Sequence, residues 1–167
     1  MASWLEKFDK HYKQAKENGS FDATAVRLAT CTKNGSPSCR MVLLKKYDNQ
    51  GFVIYTNFEG RKGRELLENP KAALYFYWPE IDVEITIDGK VEIISDDESD
   101  AYFQSRPFFS KIGAHASKQS RPMFHAIQFF ARIFYYWIKY SIKREVNRPK
   151  YWHGFRVIPD KIEFKIS

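Results

Sequence analysis

The chain has 167 residues, enough for one domain with a real core, and its 17% aromatic content excludes a disordered segment. Lys and Arg number 27 against 20 Asp and Glu, so a formal charge of +7 leaves nucleic acid, an acidic membrane surface or a phosphorylated small molecule open as partners. Cys31 and Cys39 fit no metal or CxxC spacing, and the opening MASWLEKF has no apolar signal segment, so buried thiols in a reducing, cytoplasmic compartment are expected.

Ser3 and Glu6 have capping-box spacing, and Trp4, Phe8, Tyr12 and Ala15 predict a helix that stops at Asn18-Gly19. A β-rich run over 23–32, a turn at Lys33–Pro37 and a strand over 38–47 follow. Asp48–Gly51 has turn chemistry, and Phe52–Thr56 is the next strand. Gly60 opens a short helix that ends before Pro70. Ala72–Trp78 and the alternating Val83, Ile85 and Ile87 predict two strands, with a turn or bulge at Asp88-Gly89 and a continuation over 90–94. Ser95 and Glu98 form a second capping-box pattern, for a helix ending near Arg106-Pro107. Ser120-Arg121-Pro122 should start a long helix reaching Arg144. Gln128, Arg132 and Lys139 interrupt its apolar content, so no membrane span is expected; it reads as a core or subunit-packing helix, with an interfacial amphipathic helix as the alternative. Residues 155–158 and 162–166 look like a closing hairpin around Pro159-Asp160. Six or seven largely antiparallel strands with helices between them indicate an α+β fold, a single domain over 1–167 built on a small antiparallel barrel.

Three stretches could carry chemistry. Arg61, Lys62 and Arg64 crowd a helix N-terminus that already bears partial positive charge, with Arg40 on the neighbouring strand; a phosphate would relieve the conflict, and solvated surface charge is the plain alternative. Tyr102 and Arg106 lie one helical turn apart with Ser110 beyond, good phosphate donors, or else a helix end complemented by an arginine. Ser117–Ser120 places polar donors before the long helix, where Ser120 could equally be a plain N-cap. The scattered His11, His115, His125 and His153 offer no metal cluster, and Walker, GxGxxG and GxSxG patterns are missing. The basic residues form no single tract, so nucleic acid is not the expected partner.

Read together, RMVLLK (40–45), YTN (55–57) followed by Arg61-Lys62, YFQSRP (102–107) with Ser110, SKQS (117–120), GFRV (154–157) and IEF (162–164) resemble the pyridoxamine 5′-phosphate oxidase family over nearly the whole chain. The resemblance implies an FMN-binding, Greek-key-like antiparallel split β-barrel with flanking helices, working as a homodimer with FMN at the subunit interface. It implies oxidation of pyridoxamine or pyridoxine 5′-phosphate to pyridoxal 5′-phosphate, hydride passing to the flavin and O₂ reoxidising it. By position, Arg40, Met41, Val42, Leu43, Leu44, Lys45, Tyr55, Thr56, Arg61, Lys62, Glu84, Gln119 and Ser120 would contact FMN, and Lys45, Tyr102, Arg106 and Ser110 the substrate phosphate.

Two positions depart from the family pattern: Glu84 stands where it has glutamine, and Lys165 where it has tryptophan. An ionised carboxylate only accepts hydrogen bonds, so an amide donor is lost at Glu84. The family's N-terminal arm and basic C-terminal segment do not fall within Met1–Ser167. The alternatives to an oxidase are therefore a non-catalytic binder of FMN or pyridoxal phosphate, and a basic protein acting at nucleic acid or a membrane surface.

Overall fold

The structure, a computed structural model, describes residues 3–19, 22–116, 126–143 and 145–166. In chain order the elements are α1 (Trp4–Asn18), β1 (Ala25–Cys31), β2 (Pro37–Leu43), β3 (Lys46–Asp48), β4 (Gly51–Asn57), α2 (Arg61–Glu68), β5 (Lys71–Trp78), a 3₁₀ turn (Pro79–Ile81), β6 (Val83–Ile93), α3 (Asp96–Ser105), α4 (Phe108–Ala116), α5 (Ala126–Lys143) and β7 (Trp152–Ile166). Among the described residues the strands form one seven-stranded sheet in the order β2-β1-β5-β6-β7-β4-β3, antiparallel throughout. Ser3 and Glu6 close the capping box of α1. Ser95 caps α3 by accepting from the Glu98 N–H, but the Glu98 carboxylate turns to Lys46 (3.2 Å) and Arg156 (3.3 Å) instead of completing a box.

The expected single strand over 38–47 is broken, and the break makes the barrel. Leu44 N–H donates to Thr24 O (2.8 Å) beside β1, whereas the next residue, Lys45, donates to Val53 O (2.9 Å) in β4. Two consecutive amides thus serve opposite ends of the sheet and draw its edges, β2 and β3, together. Leu44, 3% exposed, is sunk into the core at this seam.

The expected closing hairpin is absent. Residues 152–166 run as one strand, paired with β4 over its first half and with β6 along its length. Pro159-Asp160 forms a bulge: Gly89 pairs with Pro159 and Asp88 with Lys161, leaving Asp160 as the extra residue. Proline is tolerated at such a site because no ladder amide is needed there. The sequence patterning also missed α4, which begins directly after Pro107.

Helix α1 plugs the barrel. Phe8, fully buried, sets its ring against Tyr47, Phe52, Phe76 and Trp78, with centroids 4.8–5.8 Å apart. A second, smaller core joins Phe103, Ile112, Ala114, Tyr140, Val146 and Trp152, and so packs α3, α4 and α5 against the start of β7. A Cβ on Gly89 would lie 2.1 Å from the Ile158 carbonyl oxygen in the bulge, a contact neither backbone can yield. Gly89→Ala is expected to cost about 1–3 kcal/mol, the range for forced overpacking, in a urea unfolding titration. Unchanged stability would show that the two strands separate freely at this point.

Candidate functional site

The first cluster is built where β4 runs into α2. The first turn of α2 presses against the end of β4 so closely that a Cβ on Gly63 would stand 2.6 Å from Asn57 O and Phe58 Cα. Arg61 and Lys62 are thereby held beside Arg40 of β2. At the centre is a residue not singled out from the sequence, Glu65, 3% exposed. Its carboxylate accepts from Arg61 Nε (2.8 Å), Arg40 Nη2 (3.1 Å) and the hydroxyls of Thr30 and Ser38. Arg40 also donates to Thr30 Oγ1 and Ser38 Oγ, closing the network. Burial alone would raise the Glu65 pKa, but the donors Ser38, Thr30, Arg61 and Arg40 outweigh it and hold the carboxyl at about 2. The crowding of cations is therefore relieved in part from within the chain. The i,i+4 spacing of Arg61 and Glu65 was the available signal.

Lys62 is half-buried and forms no ion pair among the described residues; burial, then the charge of Arg40, lowers its pKa. Arg40, Arg61 and Lys62 against Glu65 leave a local excess of two positive charges. Asn57 Nδ2, nearby in the chain, is buried with no acceptor among the described residues, at 3% residue exposure. These are the properties of a site for a phosphate dianion.

The second cluster lies along α3. Tyr55 of β4 stacks on Tyr102 (centroids 4.1 Å apart) and on Trp152 (5.0 Å). The Arg106 guanidinium lies 4.8 Å from the Trp152 ring centroid, and its Nη1 is buried with no hydrogen-bond acceptor among the described residues. Burial lowers the pKa of Arg106, and burial raises the Tyr55 phenol to about 12, so that phenol is a hydrogen-bond donor at neutral pH. Desolvation lowers the Lys45 pKa, Asp22 opposes that shift, and the charge of Arg106 adds to it. Lys45 and Arg106 are thus close enough for their charges to repel. Ser110, half-buried, stands in the first turn of α4.

The remaining expected residues are distributed unevenly. Val42 packs on the core and Leu44 lies within it, so a ligand could meet only their backbone; Met41 (56% exposed) and Leu43 (43%) face outward. Thr56 is buried. Glu84 is paired across the β6–β7 ladder with Lys165, Nζ 3.5 Å from Oε1, so the two departures from the family pattern are partners of each other. Gln119 and Ser120 lie outside the described residues. Elsewhere, a polar cavity of about 560 Å³ is lined by Asp96, Asp100, Arg148 and His153, but Arg148 already pairs there with both aspartates. No group of acidic, cysteine and histidine residues able to hold a metal occurs among the described residues.

Because the folded pKa of Glu65 lies below its unfolded value of 4.5, its contribution to stability is present above that value and is lost as pH falls toward 2. Glu65→Gln should cost about 2–3 kcal/mol at pH 7 by urea unfolding, and the difference from wild type should narrow steadily below pH 4.5. A difference independent of pH would rule out the charge as its cause.

The sequence pattern of the family described as Pyridoxamine 5′-phosphate oxidase matches residues 8–138. The pyridoxine/pyridoxamine 5′-phosphate oxidase of Rhizobium meliloti (strain 1021) is 48% identical over 157 residues, which cover 94% of this chain and 76% of the relative. PhzG from Burkholderia lata 383, solved in complex with tetrahydrophenazine-1-carboxylic acid, has a TM-score of 0.90 at 25% identity, covering 98% of this chain and 79% of PhzG. A pyridoxamine 5′-phosphate oxidase-related, FMN-binding protein from Nostoc punctiforme PCC 73102 shares the fold, with a TM-score of 0.74 at 12% identity over 98% of this chain and 85% of that one. On its sequence and its antiparallel split barrel, the chain belongs to the pyridoxamine 5′-phosphate oxidase family.

Proposed function

We propose that this protein binds FMN and oxidises pyridoxamine or pyridoxine 5′-phosphate to pyridoxal 5′-phosphate with O₂ as acceptor. The observation that carries this reading is Arg106 Nη1, buried and without an acceptor among the described residues, beside the Tyr55–Tyr102–Trp152 stack. An unpaired buried donor costs about 1–3 kcal/mol, more when charged, and a substrate phosphate removes that cost. Lys45 adds a second positive charge, and the hydroxyls of Tyr102 and Ser110 add neutral donors. The aromatic stack presents a flat apolar wall suited to a pyridine ring.

The excess of two positive charges around Glu65 matches the dianion of the FMN phosphate, held by Arg40, Arg61, Lys62 and the free N–H groups of α2. The backbone of 41–44, Tyr55, Thr56, Glu84, Gln119 and Ser120 would line the rest of the cofactor. Bound FMN supplies the hydride acceptor and the reaction with O₂. The chain's own part is orientation: the stretch from Tyr55 to Arg61 joins the aromatic stack of the second cluster to the cations of the first and so holds cofactor and substrate in a fixed relation. Met41, Leu43 and Tyr77 (46% exposed) leave the outer face of β2 and β5 partly apolar, which favours a homodimer closed over that face.

One observation favours a second reading, FMN binding without turnover. Glu84 and Lys165 hold each other as an ion pair where the family pattern carries an amide and an indole. Purified protein supplied with FMN and pyridoxine 5′-phosphate separates the readings. Aldehyde and hydrogen peroxide formation supports the first, bound flavin without turnover supports the second, and no flavin uptake contradicts both.

Arg61→Ala should weaken FMN binding about 10-fold or more, as expected for loss of a charge-assisted contact, and should also lower stability by about 1–3 kcal/mol, because it takes away one of the donors to the buried Glu65 carboxylate. Fluorescence titration and thermal unfolding check the two halves of that statement. Arg106→Ala should raise KM for the phosphorylated substrate about 10- to 100-fold while FMN affinity holds, in steady-state assays with saturating cofactor.

A further inference from the structure

Helix α5 carries large apolar side chains on a side that no other described element covers. Phe134 (60% exposed), Trp137 (41%) and Ile138 (42%) share a face by their spacing, with Tyr135 (60%) at its margin. The side that packs inward is a different one, formed by Ile133, Tyr136 and Tyr140 against α4 and α3. Arg132 and Lys139, seven residues apart and both exposed, lie on the side opposite the Phe134–Ile138 stripe. Residues 126–143 include no carboxylate at all.

We infer that α5 is a docking surface for an anionic lipid bilayer, on which the helix lies flat with Phe134, Trp137 and Ile138 turned into the interface. Its arrangement, aromatic and aliphatic groups on one side and cations on the other, is that of a helix seated in the headgroup region. Among the described residues no helix is long and apolar enough to cross a membrane, so the helix rests on the surface without spanning it. Charge selects lipid over a second copy of the chain. A two-fold contact centred on this face would set α5 against itself, bringing together two helices that carry only positive charge and have no carboxylate to offer across the seam. An acidic headgroup layer supplies the missing anions, and the chain's formal charge of +7 acts in the same direction.

The test is co-sedimentation of the full chain with vesicles of phosphatidylcholine alone and of phosphatidylcholine mixed equally with phosphatidylglycerol, at low and high salt. Binding is expected to the mixed vesicles and to weaken with salt. The double variant Phe134→Ser/Trp137→Ser should reduce partitioning about 10-fold or more, and Arg132→Gln/Lys139→Gln about 10-fold on the anionic vesicles alone. All four side chains are exposed, and circular dichroism checks that both variants remain folded. Absence of wild-type binding would overturn the inference, as would equal binding to neutral vesicles. A wild-type dimer that ignores vesicles and dissociates in the Phe134→Ser/Trp137→Ser variant would assign the face to subunit contact. The measurement needs neither FMN nor turnover, so its failure leaves the oxidase reading standing.

Discussion

One buried carboxylate organises the cation cluster at the start of α2. Glu65 sits at 3% exposure, and four donors converge on it, three from the distant strands β1 and β2 and one from its own helix. An ionised group in that position is tolerable only while those donors stay in place. It therefore fixes Arg40 of β2 and Arg61 of α2 relative to each other before any ligand arrives. Preorganisation of this kind lowers the ordering cost of binding a phosphate, since the guanidinium groups need not be gathered on arrival.

The barrel seam does for the second cluster what Glu65 does for the first. Because Leu44 and Lys45 bond to opposite ends of the sheet, Lys45 emerges where β2 and β3 meet, and its charge reaches Arg106. A straight strand over 38–47 would not have produced that placement. The break in β2 is thus a structural requirement for the second cluster, and the core position of Leu44 holds it.

What could be read in the sequence was what is local. The caps at Ser3 and Ser95, the stop before Pro70 and the alternation of Val83, Ile85 and Ile87 depend on neighbours a few residues away. Pro159-Asp160 misled because its turn chemistry is also local, whereas its structure is decided by β6, where Gly89 lets the bulge close. Helix α4 went unseen because FFSKIGAHA opens on two phenylalanines, with no capping residue to mark a start. At the site, the clustering of Arg61 and Lys62 and the pairing of Tyr102 with Arg106 were visible as spacing. The centring of the first cluster on Glu65 was not, since Thr30, Ser38 and Arg40 precede it by 35, 27 and 25 residues. Likewise, Glu84 and Lys165 became partners only once the β6–β7 register was known.

Arg40, Arg61 and Lys62, partly balanced by Glu65, are on this account reserved for the phosphate of a flavin nucleotide. Comparing FMN with riboflavin, which has the same ring system and no phosphate, isolates that assignment. Parallel fluorescence titrations should find FMN bound at least about 100-fold more tightly, as expected for two or more charge-assisted hydrogen bonds. Equal affinity for the two flavins, or no uptake of either by the folded protein, would contradict it.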